Sequence, residues 1–80
     1  MSFALKIVSP GGVILDRTVD FCELPAKSGI EGVLPEHINF ISNINKGIVK
    51  YKIGEITNEI GVNEGFVEIS GNFINILTND

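Results

Sequence analysis

Tryptophan is absent from this 80-residue chain, and cysteine, histidine, methionine and tyrosine each occur once. A lone cysteine excludes an internal disulfide framework, so no feature points to an oxidising compartment. A lone histidine leaves most catalytic and metal-binding constellations without enough members. Basic residues are few: six Lys and Arg against ten Asp and Glu give a net charge of −4 and a pI near 4.8. Nucleic-acid binding depends on clustered cations and is excluded on this balance. Lys46, Lys50 and Lys52 come nearest to a basic patch, and their spacing fits the solvated face of a strand. No apolar run approaches the ~18 residues of a membrane span, and Met1-Ser2-Phe3 opens no signal or transit peptide. The expectation is that such a chain meets a membrane only through another protein.

Hydrophobic residues, by contrast, are abundant, at 44% with a mean hydropathy of +0.29. A chain this short forms one domain and buries only ~60% of the surface it exposes when unfolded. High apolar content in so small a domain implies an unusually apolar core, apolar surface kept for a partner, or both.

Period-two alternation runs from end to end. FALKIVS (3–9) sets Phe3, Leu5 and Ile7 against Ala4, Lys6 and Val8, and Pro10-Gly11-Gly12 then turns the chain. GVILDRTVDFCELP (12–25) predicts one or two strands, with polar Asp16-Arg17 between them. In that segment Cys22 alternates with Leu24, opposite Phe21 and Glu23, as a small buried hydrophobe would. GIVKYKI (47–53) places Val49, Tyr51 and Ile53 on one face. Gly54-Glu55 suits a hairpin into ITNEIGV (56–62), and Gly71-Asn72 joins FVEIS (66–70) to FINIL (73–77). No segment carries a capped 3.6-residue period, so no helix longer than a turn is expected. Strands of this length with turns about every 8–12 residues describe an all-β, flattened antiparallel sandwich or barrel.

The search for chemistry is short. Asp16 and Asp20 flank a strand as solvated residues do, and no group of ligands has metal spacing. GIEGVLPEH lacks the Gly-Lys-Ser/Thr of a phosphate loop. Ser42, His37 and Glu36 make a triad only on paper, without an elbow or oxyanion loop. Glu64 and Glu68 share a face but lack the cleft that paired carboxylates need. No catalytic residue, metal site, nucleotide site or cofactor is expected, and the residues describe a non-enzyme. A free-standing small-ligand-binding sandwich is the alternative, but it would want exposed aromatics, and Tyr51 alternates inward.

GIEGVLPEHINFIS (29–42) fits no regular element and reads as a Gly/Pro-bounded loop. With Ile44 beyond it, the stretch carries Ile30, Val33, Leu34, Ile38, Phe40 and Ile41, far more apolar than a surface loop requires. Either these residues form a short strand pair over one end of the core, or they dock on a partner. His37 has the same two readings, satisfying loop carbonyls or presenting a flat polar-edged ring at an interface.

LKIVSPGGVILDRTVD, VDFCELP, SGIEGVLPEH, INKGIVKYKIG and VNEGFVEISGNFINILTND, taken in order, resemble the N-terminal domain of the F-type ATP synthase epsilon subunit, the counterpart of mitochondrial delta. The resemblance covers essentially the whole chain, and Gly32-Val33-Leu34-Pro35-x-His37 is its most specific part. It implies a β-sandwich of about ten strands and a mechanical role at the foot of the central stalk, joining the gamma shaft to the ring of c subunits. Carried over by position, Ser9, Pro35, His37 and Phe40 would face gamma; Gly29, Ile30, Glu31 and Ser42 would face the ring. Two local departures stand out. Ile30-Glu31 reverses the family's usual acid-then-apolar order, and Ile38-Asn39-Phe40 replaces Ala-Pro-Leu. Longer members add an inhibitory helical hairpin that binds ATP in some bacteria; these residues do not supply it, so neither inhibition nor ATP binding is expected of them. The implied location is peripheral, on the cytoplasmic face of a bacterial plasma membrane.

Overall fold

The computed structural model describes residues 2–27, 29–33 and 39–79. Among these it contains nine strands and no helix: β1 (Phe3–Ser9), β2 (Gly12–Val19), β3 (Phe21–Ala26), β4 (Gly29–Val33), β5 (Phe40–Ile44), β6 (Gly47–Ile53), β7 (Ile56–Val62), β8 (Gly65–Ser70) and β9 (Phe73–Thr78). They join in the order β2-β1-β9-β8-β5-β3-β6-β7, with β4 on the other edge of β3. All neighbours are antiparallel except β1 and β9, the first and last strands, which run parallel at the middle of one half. Between β3 and β5 the ladder narrows to the single pair Ala26–Ile44. The sheet turns a corner there, its two halves enclose one core, and β2 packs back against β6.

The alternation read in the sequence decides which side chains fill that core. Phe3, Leu5 and Ile7 of β1, Ile74 and Ile76 of β9, and Val67 and Ile69 of β8 are buried, as are Cys22 and Leu24 of β3 and Val49 and Tyr51 of β6. Register stacks them in rows, such as Ile7–Ile76–Val67, so that each strand supplies a neighbour for the next. Gly54 and Gly71 close the expected hairpins with φ of 61° and 57°, values that L side chains adopt only at a cost.

Two expectations change. β2 runs straight through Asp16-Arg17, and the break falls at Asp20. Its carboxylate accepts the Gly54 N–H at 2.7 Å, while its own N–H donates to the Lys52 carbonyl at 2.8 Å. The polar pair at 16–17 needed no turn, because β2 is an edge strand exposed along most of its length.

The second change concerns 29–42, which is not a loop throughout. Gly29–Val33 is a strand paired with β3, and Phe40–Ile44 is one paired with β8. Of the glycines, Gly32 lies where a Cβ would meet the Phe21 ring at 3.4 Å, so its bareness makes room within a regular ladder. The apolar residues split accordingly. Val33 and Ile44 are in the core, Phe40 packs at its margin, and Ile30 and Ile41 are exposed.

Candidate docking surface

Ser9, Ala26, Gly29, Ile44, Gly47, Val62, Gly65 and Thr78 lie at one end of the sandwich, as the register of their strands requires. The β8–β9 turn, Asn39 and the β6–β7 turn lie at the other; there the Asn39 side chain accepts the Gly71 N–H at 3.3 Å.

Of the residues expected to face a partner, Gly29 and Ile30 open β4 at the first end. Ile30 is 70% exposed, beside Pro25 on the outward side, with the exposed Ile48 on neighbouring β6. Glu31 is also in β4, paired with Leu24. Ser42 sits within β5 rather than in a loop, half-buried, its hydroxyl donating to the Asn43 carbonyl at 2.9 Å. Ser9 is at the same end as Gly29, and its hydroxyl closes the β1–β2 turn by accepting the Gly11 N–H at 3.2 Å. Phe40 lies toward the opposite end, paired with Ile69. Pro35 and His37 lie outside the described residues. The structure therefore groups Ser9 with Gly29 and Ile30, and separates Ser9 from Phe40.

One surface feature escaped the sequence reading. An outward row crosses four strands, Val13–Val8–Leu77–Phe66, in register from β2 to β8. Val13, Leu77 and Phe66 are 58%, 52% and 41% exposed. A β-bulge between Ile7 and Val8 leaves Ile14 as an extra residue beside this row, and Ile14 is exposed too. The next row, Asp16–Lys6–Asn75–Glu68, is polar and charged, so the apolar row is a bounded stripe. The outward signal was legible in FVEIS and FINIL, where Phe66 and Leu77 occupy positions that alternation assigns to solvent.

On neighbouring β3, β6 and β7 the outward charges alternate in sign. Lys50 lies between Glu23 and Glu59 in register, with a 3.9 Å ion pair to Glu59 exposed to water and hence of little energetic consequence. No group of three or more metal-ligating side chains occurs among the described residues. The Cys22 thiol is pushed up to about 12 by burial, reinforced by the nearby Glu23 carboxylate. A thiol so protonated is inert toward electrophiles. Native protein should resist maleimide at neutral pH and react fully in denaturant; equal rates in both would contradict the burial. Because the folded value lies above the ordinary 9.0, the unfolded chain sheds this proton first as pH rises. Stability carried by the neutral thiol is complete below pH 9 and declines as pH climbs toward 12. Cys22→Ala should flatten that decline in urea midpoints measured across this range.

The fold is that of a small β-sandwich domain with bare apolar side chains on both halves. Residues 2–80 match the model of the ATP synthase Delta/Epsilon chain β-sandwich domain. The chain is 38% identical over 76 residues to the ATP synthase epsilon chain of Desulfitobacterium hafniense, covering 95% of this chain and 58% of that one. To the epsilon chain of Nitratidesulfovibrio vulgaris it is 41% identical, covering 95% and 57%. The chain belongs to the delta/epsilon family of ATP synthase β-sandwich domains and spans little more than half the length of these relatives. Among solved structures, a chain of the Euglena gracilis mitochondrial ATP synthase, in an assembly of OSCP, F1 and c-ring, superposes with a TM-score of 0.91 at 20% identity, covering 99% of this chain and 51% of that one. A chain from the Tetrahymena thermophila central stalk and c-ring gives 0.78 at 11%, covering 96% and 63%. At such identities these two likenesses speak for the fold alone.

Proposed function

We propose that this domain is a non-catalytic part of an F-type ATP synthase rotor, joining the gamma shaft to the c-ring so that ion flow drives ATP synthesis. The family match over residues 2–80 carries the reading. The structure supports it physically through apolar residues bare of cover on a domain otherwise well able to bury them. Gly29, Ile30, Glu31 and Ser42 are assigned to the ring, and Ser9, Pro35, His37 and Phe40 to gamma. Ser9 lies level with Ile44 in the register, so Ser9 and Phe40 are roughly 14 Å of strand length apart as well as three strands apart across the sheet. A partner meeting both must lie obliquely across this half, as an elongated shaft does. The complex would hold the domain at the cytoplasmic face of a bacterial membrane without inserting it.

Co-expression with gamma and c subunits tests this. Ile30→Asp should release the ring while leaving the thermal midpoint unchanged, since the side chain is mostly solvated. His37→Asp should release gamma. Retention of both partners by both variants would refute the assignment.

A further inference from the structure

An edge strand invites pairing with another chain, and folds protect such edges with bulges, inward-pointing charges or short length. Among the described residues β2, β4 and β7 each have a free edge. β2 is protected by the bulge at Ile7 and Val8 and by Arg17, a charge set on the core side, level with buried Leu5. β4 is only five residues long. β7 has none of these protections. It runs seven residues in unbroken register with β6 and holds no Pro, Lys or Arg. Among the described residues no backbone hydrogen bond reaches its free side. β2 packs against β6, one strand in from this edge, and leaves part of β7 without cover. The consequence shows at Ile56. Alternation places it on the core side with Ile60 and Val62, yet it is 66% exposed.

We infer that β7 is an interface for a second copy of this chain, the two β7 strands pairing antiparallel across a two-fold axis at Asn58. In that register ITNEI (56–60) is self-complementary. Ile56 lies opposite Ile60 of the second copy, on the core side, and gains the apolar neighbour it lacks. Asn58 lies opposite its own counterpart, where two carboxamides exchange donor and acceptor. Thr57 lies opposite Glu59 on the outer side, a hydroxyl donor facing a carboxylate. Sliding the pairing by two residues sets Glu59 against Glu59 in one direction and against Glu55 in the other, and like charges directly opposite are destabilising. Sliding it by one turns core-side residues outward. Charge and face together therefore select the register centred on Asn58. The inference concerns the chain outside any larger assembly and does not depend on the rotor reading.

Sedimentation velocity of the chain, from micromolar to millimolar concentration, should show monomer converting to dimer. Thr57 is exposed, so its replacement leaves the core intact. Thr57→Glu sets two carboxylates against each other on both sides of the axis and should raise the dissociation constant about tenfold, less at high salt. Asn58→Cys places two thiols opposite each other at a Cα separation of roughly 4.5–5.5 Å, which suits a disulfide. Cys22 is buried and does not compete. Mild oxidation should link this variant into dimers about tenfold faster than Glu59→Cys, whose thiols lie two residues out of register and beyond disulfide reach. Equal linking rates in the two cysteine variants, or a monomer at every concentration, would overturn the inference. So would a dimer that Thr57→Glu leaves intact and Leu77→Asp abolishes, because the interface would then be the apolar stripe.

Discussion

Gly65→Ala is expected to abolish or nearly abolish folding. A Cβ at this position would overlap the carbonyl oxygen of Leu77, come within 2.9 Å of its carbonyl carbon and lie 3.0 Å from the Thr78 Cα. All three atoms are backbone in the adjacent strand, so no side chain can swing away. Relief would require β8 and β9 to part where Gly65 pairs with Thr78. Thr78 is itself buried, its hydroxyl donating to the Asn63 carbonyl at 3.3 Å and accepting the Asn63 N–H at 3.0 Å, so parting the strands also breaks this link. Overpacking with no escape belongs among the largest single-residue losses, above ~3 kcal/mol. A domain of this size holds only ~4–12 kcal/mol in all. Circular dichroism and urea titration read the outcome. Gly61→Ala is the control, because its Cβ would meet nothing nearer than the Ile48 Cδ1 at 4.0 Å. A Gly65→Ala loss within 1 kcal/mol of that control would show the close approach to be illusory.

Ile76→Ala should produce the second large loss, about 2–5 kcal/mol, from lost transfer energy and the cavity left behind. Ile76 is fully buried between Ile7 and Val67, on the central strand of its half. Neighbours on two strands limit how far the site can collapse. Leu77→Ala, one residue on, removes a side chain from the outward stripe and should cost well under 1 kcal/mol. The lower urea midpoint in Ile76→Ala should come without a change in slope, since the unfolded chain exposes nearly the same surface. Similar losses at 76 and 77 would mean that the inward and outward faces of β9 had been confused.

Much of the fold was legible because alternation and hairpin glycines are local signals. Phe3, Leu5, Ile7, Val49 and Tyr51 turned inward as their spacing required. The segments at 29–33 and 40–44 were harder. Gly29, Gly32 and Pro35 punctuate this stretch like a loop, whereas what makes strands of its two ends is pairing with β3 and β8, which no window of a few residues contains. The motif pieces had the same limitation. Pro25 and Gly47 belong to separate signatures in the sequence, yet a Cβ on Gly47 would lie 3.0 Å from the Pro25 Cβ, so each residue suits the other's place. Of the candidate site, Ser9, Gly29, Ile30, Glu31, Phe40 and Ser42 could be placed on strands, while Pro35 and His37 lie outside the described residues. The apolar stripe went unnoticed because its four members come from four strands, in two hairpins far apart in the sequence, and meet only through register.

The central position of β9 also bears on how the protein is made. Of these nine strands β1 leaves the ribosome first and β9 last, yet β1 needs β9 as its parallel neighbour, and β8 needs it on one edge. Until Thr78 emerges, both strands present unpaired, apolar-flanked edges. Such edges are templates for wrong pairing, and nascent chains stalled there would be at their most vulnerable to aggregation. Closure of this half of the sandwich therefore waits on β9, the one strand that pairs with both β1 and β8.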